Sequence, residues 1–360
     1  MLYYFSTYLT VLFSGFNIFR YITFRSFLGF ILSFTISLIV LPWFISFVKQ
    51  KQFVQTIRDD GPKTHFVKQH TPTMGGIIIL FAFLLSVIIS ARPNRFVLWS
   101  IFATVYLGIL GFMDDYLKII KKHPRGVPAK YKLMFQLLFS LILCFYLYLA
   151  PVNYQYSTHL HIPYLKEAFV SIGIFYFLIV ILTFVGASNG INLTDGLDGL
   201  AVGNIIFVSI TYAILAYVAG NYKLASYLKL IYVAGAGELT VVLSCLIGAC
   251  LGFLWYNSYP ASIFMGDTGS LFLGGLIGII AIFIKQELLL VIAGGVFVVE
   301  ALSVIIQVAY YKKTKRRVFL MAPLHHHYEL KGYPEPKITT RFWIVSILLS
   351  IIALSSLKIR

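Results

Sequence analysis

Along most of the chain, apolar stretches of roughly helical-span length alternate with short polar connectors. Such stretches lie near 26–47, 73–92, 96–113, 132–150, 168–187, 199–219, 236–256, 263–284, 288–310 and 339–357. Crossing a hydrocarbon core about 30 Å thick takes roughly 20 helical residues, so the pattern predicts ten transmembrane helices. Helices satisfy their own backbone groups where there is no water to do so. The fold expected is therefore all-α, a polytopic integral membrane protein. No internal repeat, low-complexity tract or soluble insert interrupts it, and residues 1–360 read as a single membrane domain. The opening segment, about 1–25, places its aromatic residues before its first positive charges, Arg20 and Arg25. That order is the reverse of a signal peptide's and suits an interfacial segment.

Composition agrees with this reading: 59% of residues are hydrophobic and only 12% charged, with a mean hydropathy of +0.86. A net charge of +16 could suggest nucleic acid, but the basic residues sit between apolar runs instead of forming one tract. No nucleic-acid partner is expected. The positive-inside rule accounts for the charges better. The connector after the first run holds Lys49, Lys51, Arg58, Lys63 and Lys68, and the connector after the third holds Lys118, Lys121, Lys122, Arg125, Lys130 and Lys132. After the ninth come Lys312, Lys313, Lys315, Arg316, Arg317, Lys331 and Lys337. Odd-to-even connectors are thus expected in the cytoplasm and both termini in the periplasm. The connectors after the fifth and seventh runs carry no Lys or Arg and are placed only by the alternation. Cys144, Cys245 and Cys250 all lie in apolar runs, which indicates neither a disulfide framework nor a thiolate metal site.

One face then collects the chemistry. Asp59, Asp60, Asp114, Asp115, Asp195, Asp198, Asp267, Glu329 and Glu335 fall in or beside the cytoplasmic connectors, about 48–72, 114–131, 188–198, 257–262 and 311–338. Asp114 and Asp115 are neighbours, and successive helical side chains point about 100° apart. One can work while the other supports it, although a solvated helix end would look the same. Asp195 and Asp198 share a face on a helical turn and could hold a cation or a polar substrate group; a Gly-rich turn capped by Asn192 and Thr194 is the plainer reading. Asn257 and Asp267 flank a turn rich in Gly, Ser and Thr, a setting able to receive an anion. Lys68, His70, Thr71 and Thr73 precede a Gly pair and suit phosphate. His325, His326 and His327 are consecutive, so they fan out and make a poor zinc site; hydrogen bonding to phosphate or nucleotide suits them better. Glu300 lies within an apolar run, where an acid should face protein interior or a wet cavity. Carboxylates, lysines and small-residue turns are together the parts of a Mg²⁺-dependent phosphoryl-transfer site.

Five motifs carry a resemblance: "DDGPKTHFVKQHTPTMGG", "GFMDDYLK", "NGINLTDGLDGLA", "WYNSYPASIFMGDTGSL" and "MAPLHHHYELKGYPEPK". In this order, across nearly the whole chain, they resemble the phospho-N-acetylmuramoyl-pentapeptide-transferases, the MraY-type translocases of the polyprenyl-phosphate N-acetylhexosamine-1-phosphate transferase superfamily. The resemblance implies transfer of phospho-MurNAc-pentapeptide from UDP-MurNAc-pentapeptide to undecaprenyl phosphate with Mg²⁺, giving lipid I and UMP, in the bacterial inner membrane. It implies that Asp267 ligates the metal and that Asp114 and Asp115 act with it in catalysis. Lys68, Thr73, Lys132, Asn192, Asp195, Asp198, Asn257, His325, His326 and His327 would line the nucleotide and pyrophosphate. His70 departs from the pattern, standing where a glycine is expected before "TPTMGG". The expected partners are the two substrates and the bilayer, with a homodimer left open. A GlcNAc-1-phosphate transferase is the nearest alternative. A secondary transporter is the alternative of another class, disfavoured because transporters place their acids near the midplane of inverted repeats.

Overall fold

The computed structural model describes residues 3, 10, 14–51, 71–119, 121, 126–165 and 169–358. Lys68 and His70 therefore lie outside the described residues, as does most of the first polar connector. A short 3-10 turn at Ser14–Arg20 leads into α1 (Ile22–Gln50), followed by α2 (Gly76–Ser90), α3 (Arg95–Ile119) and α4 (Ala129–Leu149). An antiparallel hairpin of β1 (His159–His161) and β2 (Phe169–Ser171) comes next. Then follow α5 (Phe175–Thr194), α6 (Leu200–Ala219), the short α7 (Tyr222–Tyr227), α8 (Glu238–Asn257) and α9 (Gly266–Phe283). The chain closes with α10 (Glu287–Ala293), α11 (Gly295–Thr314), α12 (Leu324–Leu330) and α13 (Glu335–Ser355).

Among the described residues nine helices are long and apolar enough to cross a membrane, and α2 is a shorter apolar helix. The protein is thus an all-α polytopic membrane protein, and each of the ten predicted runs contains a helix. Three details differ from the sequence reading. The run at 168–187 begins as a strand, with its helix starting at Phe175. The run at 288–310 breaks into α10 and α11 at Gly294, whose φ of −91° and ψ of 20° leave the helical range. Arg25, read as part of an interfacial segment, lies inside α1. It is 1% exposed and forks onto Glu238 at 2.5 and 2.6 Å.

Helix α9 is the centre of the bundle: 89% of its apolar window is buried, against 28% for α1. It packs against α3 and α5, and α1 packs against α8. In lipid, apolar contact gives little net drive for helix association, so small residues that let backbones approach do much of the work. Gly274 meets the Ala187–Ser188 backbone of α5, and Gly111 of α3 meets the Asp267–Thr268 backbone of α9. These contacts bring the ends of α3, α5 and α9 together. At the other end of the bundle, Lys285 donates to the Ser157 carbonyl at 2.7 Å, and Tyr176 donates to Glu287 at 2.5 Å.

Candidate active site

The C-terminal ends of α3 and α5 and the start of α9 meet in one acidic cluster. Asp114, Asp115 and Asp267 each offer a carboxylate oxygen, all within 4.8 Å of one another. Helix α3 continues past both aspartates to Ile119, so the two side chains diverge as helical geometry requires. Their partners differ completely.

Asp115 turns toward the first turn of α9. Its Oδ1 accepts the Asp267 N–H at 3.0 Å, and its Oδ2 accepts the Thr268 N–H at 2.8 Å and the Thr268 hydroxyl at 2.5 Å. It thereby supplies, from another helix, the cap that α9 lacks from its own N-cap residue. Gly266 makes room for it, with φ at 78° and an ideal Cβ position only 2.7 Å from Asp115 Oδ2. Asp115 therefore fixes where Asp267 stands.

Asp114 turns toward the lysines. Lys132 Nζ lies 2.9 Å from Asp114 Oδ1 and 2.6 Å from Asp267 Oδ2. Lys118, one helical turn beyond Asp114, contacts it and reaches Asp267 Oδ2 at 3.1 Å. The Val127 N–H also donates to Asp114 Oδ1 at 2.7 Å. Asn192, at the end of α5, donates to Asp267 Oδ1 at 3.0 Å and to the Ser270 hydroxyl at 2.8 Å. Two lysines shared between two carboxylates make a site in which cationic and anionic groups are already balanced. An oxyanion or a hard cation can enter by exchanging one of these partners.

The residues near Thr73 reach the cluster through the backbone. Phe264 N–H donates to the Pro72 carbonyl at 2.8 Å, and the Gly75 and Gly76 N–H groups donate to the carbonyls of Phe264 and Met265 at 2.9 and 2.8 Å. Buried Thr73 is thus held beside the segment that opens α9.

Asp198 and Asn257 are engaged by the protein itself. Asp198 Oδ2 accepts the Ala261 N–H at 2.9 Å, and its own N–H donates to Glu335 at 2.6 Å. Asn257 accepts from Gly199 N–H at 3.1 Å and donates to the Ile263 carbonyl at 2.8 Å. These bonds tie the α5–α6 turn to the α8–α9 connector and to the start of α13. The turn also carries Asp195, whose pKa is pushed up to about 8 by burial and then by the charges of Asp267, Asp115 and Asp198.

That shift has a measurable sign. An unfolded aspartate ionises near pH 4, so between about pH 4 and about pH 8 the unfolded chain gives up this proton first. The stability owed to the protonated carboxyl is full below that window and is lost as pH rises through it. In chelator-treated protein, thermal unfolding midpoints should therefore fall across that window, and Asp195→Asn should flatten the decline. An equally steep decline in the variant would rule out Asp195 as its source.

The three histidines stand on α12. His325 is buried, with its Nε2 against Gly196 and its Nδ1 3.2 Å from Glu300. His326 pairs with Glu329 at 2.6 Å, and His327 Nδ1 accepts the Leu320 N–H at 3.1 Å. The sequence reading did not place Lys118, Thr268, Ser270, Glu300 or Glu335 in this region as site residues. Of these, Lys118 carried a local signal in its four-residue spacing from Asp114, and Glu300 in being an acid inside an apolar run.

The sequence is similar to those of known proteins. The glycosyl transferase family 4 pattern matches residues 97–285, a segment that contains Asp114, Asp115, Asp195 and Asp267. A phospho-N-acetylmuramoyl-pentapeptide-transferase of Endomicrobium trichonymphae is 50% identical, with 100% of each chain covered. The chain belongs to the phospho-N-acetylmuramoyl-pentapeptide-transferase family. Relatives of the same name from Desulfotalea psychrophila and Thermodesulfovibrio yellowstonii are 50% and 49% identical over 97% and 96% of each chain. In this member of the family, the similarity extends beyond 285 to take in Glu300, the histidines and α13.

Proposed function

We propose that this protein transfers phospho-MurNAc-pentapeptide from its UDP conjugate to undecaprenyl phosphate, forming lipid I and UMP at the cytoplasmic face of a bacterial inner membrane, with both termini on the opposite side. The observation that carries the reading is the meeting of Asp114, Asp267, Lys118, Lys132 and Asn192 at one end of the bundle, in a chain similar to named transferases along its whole length. One phosphoanhydride is broken and another made, so the reaction is close to isoenergetic. Catalysis then rests on positioning and charge neutralisation.

The donor set fits a hard divalent cation such as Mg²⁺: three carboxylates converge, and Asp114 and Asp267 are held by lysine ammonium groups that a cation can displace. Asp267 and Asp114 would hold it, whereas both oxygens of Asp115 are already capping α9. The cation would supply charge neutralisation on the pyrophosphate. Lys118 and Lys132 are placed to trade a carboxylate oxygen for a phosphate oxygen. Asp114 is placed to orient the acceptor phosphate and take its remaining proton, which a group of ordinary basicity can do because that phosphate's second pKa is about 6. An aspartyl-phosphate route is the alternative, and phosphosugar trapped on the protein without acceptor lipid would establish it.

An apolar cavity of about 340 Å³ lies between α5, α9, α10 and α11, lined by Leu182, Ile191, Ile277, Val291, Phe297 and Leu302. Its lining includes Ile191, one residue from Asn192, so an isoprenoid tail held there would bring its phosphate toward Asp267. The deciding experiment gives purified protein a polyprenyl phosphate and either UDP-MurNAc-pentapeptide or UDP-GlcNAc, and measures UMP with and without Mg²⁺. UMP should form from the muramoyl donor and disappear with a chelator. Release from UDP-GlcNAc alone would reassign the donor, and proton-coupled uptake into vesicles without UMP would replace the transferase reading by a transporter.

A further inference from the structure

Glu300 takes no part in the Asp114–Asp267 cluster, yet it is fully buried in α11. An acid within an apolar helix is costly unless it is paired and hydrogen-bonded. Its partners are on α12. Oε2 accepts the Leu324 N–H at 2.7 Å and Oε1 accepts the His325 N–H at 3.2 Å. Those are the first two residues of α12, whose N-cap position is Pro323 and offers no side-chain acceptor. Glu300 caps this short helix from a different helix and so fixes where the histidines begin.

The same carboxylate lies 3.2 Å from His325 Nδ1. The His325 side chain is 1% exposed, and among the described residues neither ring nitrogen makes a hydrogen bond, Nδ1 meeting Glu300 only at ion-pair range. Nε2 faces Gly196, where any Cβ would collide with it. A carboxylate 3.2 Å from Nδ1 favours a hydrogen on that nitrogen electrostatically, leaving Nε2 turned to the Asp195–Gly196 turn. His326 and His327 have their own partners within the loop, Glu329 and the Leu320 N–H.

We propose that Glu300 is a positioning residue: by capping α12 and standing at the Nδ1 side of His325, it seats the ring against the Asp195–Gly196 turn and so sets the shape of the site that takes the nucleotide-linked donor. The identity of that donor rests on the function proposed above; the orientation of the ring does not.

Two measurements on full-length, detergent-solubilised protein test this. In ¹⁵N-histidine-labelled protein, the resonance lost in His325→Ala should report a hydrogen on Nδ1, and Glu300→Gln should shift the ring toward the other tautomer. In steady-state assays with Mg²⁺, Glu300→Gln should raise the KM for UDP-MurNAc-pentapeptide about tenfold with a smaller change in kcat. In the His325→Ala background the same change should add less than about twofold, because its effect acts through the ring. Glu300→Asp, which keeps the charge, should recover part of the loss, and it takes the place of Glu300→Gln in both measurements if the latter loses its monodisperse elution. An unchanged tautomer, or a Glu300 effect of the same size with and without His325, would overturn the proposal. Wild-type protein that releases no UMP would instead remove the assigned activity, leaving the tautomer measurement to decide the role of Glu300.

Discussion

Replacing Asp267 by asparagine is expected to lower UMP release by about a thousandfold or more while the protein still folds. Asp267 is the carboxylate on which both lysines and Asn192 converge. An amide offers one acceptor where the carboxylate offers two, and its NH₂ would face ammonium groups if it pointed at the lysines. Losing the negative charge weakens any hold on a divalent cation and leaves Lys118 and Lys132 leaning on Asp114 alone. The fold should survive because the backbone of residue 267 still donates to Asp115, and Asn192 still has Ser270. The measurement is UMP release by protein shown to be monodisperse, with and without chelator. Near wild-type turnover that a chelator abolishes would show that the cation is held elsewhere.

Gly111→Ala should be among the most damaging single-methyl changes in the bundle. An added Cβ would sit 2.6 Å from the Thr268 Cα and closer still to the Asp267 carbonyl oxygen. Both obstacles are backbone atoms at the first turn of a buried helix, so neither can rotate away. The helices must part, and Asp114 and Asp115 move with α3 away from Asp267. Overpacking of this kind costs about 1–3 kcal/mol, and a displacement near 1 Å in a positioned site costs about a hundredfold in rate. A lowered unfolding midpoint together with a kcat loss of that order is expected. Gly186→Ala, where a Cβ meets open space, should leave the unfolding midpoint unchanged or slightly raised. Equal behaviour of the two variants would mean that α3 and α9 have more freedom than their contact implies.

These two expectations rest on different kinds of information. Asp267 was visible as a candidate in the sequence, because an acid among Gly, Ser and Thr at the mouth of an apolar run is chemically conspicuous. Gly111 was not, since a glycine in a membrane helix has many uses and its neighbour lies more than 150 positions along the chain. The same contrast divides the aspartate pair. Adjacency on a helix implied two roles, but only the bonds from Asp267 and Thr268 to Asp115 assign the capping role to it and leave Asp114 facing the lysines. Asp198 and Asn257 were chosen for their chemistry as substrate contacts. Only the structure shows that their bonds to Ala261, Glu335, Gly199 and Ile263 also tie the α5–α6 turn to the α8–α9 connector and the start of α13.

By itself the sequence determined that the protein is a helical membrane bundle, because hydropathy and helical period are local quantities that add up along the chain. It also carried the family motifs in order. Tertiary structure alone decided which acids share lysines, which one caps a helix, why Arg25 can be buried against Glu238, and how Glu300 comes to hold the start of the histidine segment. Each of those depends on two side chains brought within about 3 Å by packing, and no pattern along a single stretch of chain encodes what lies opposite it.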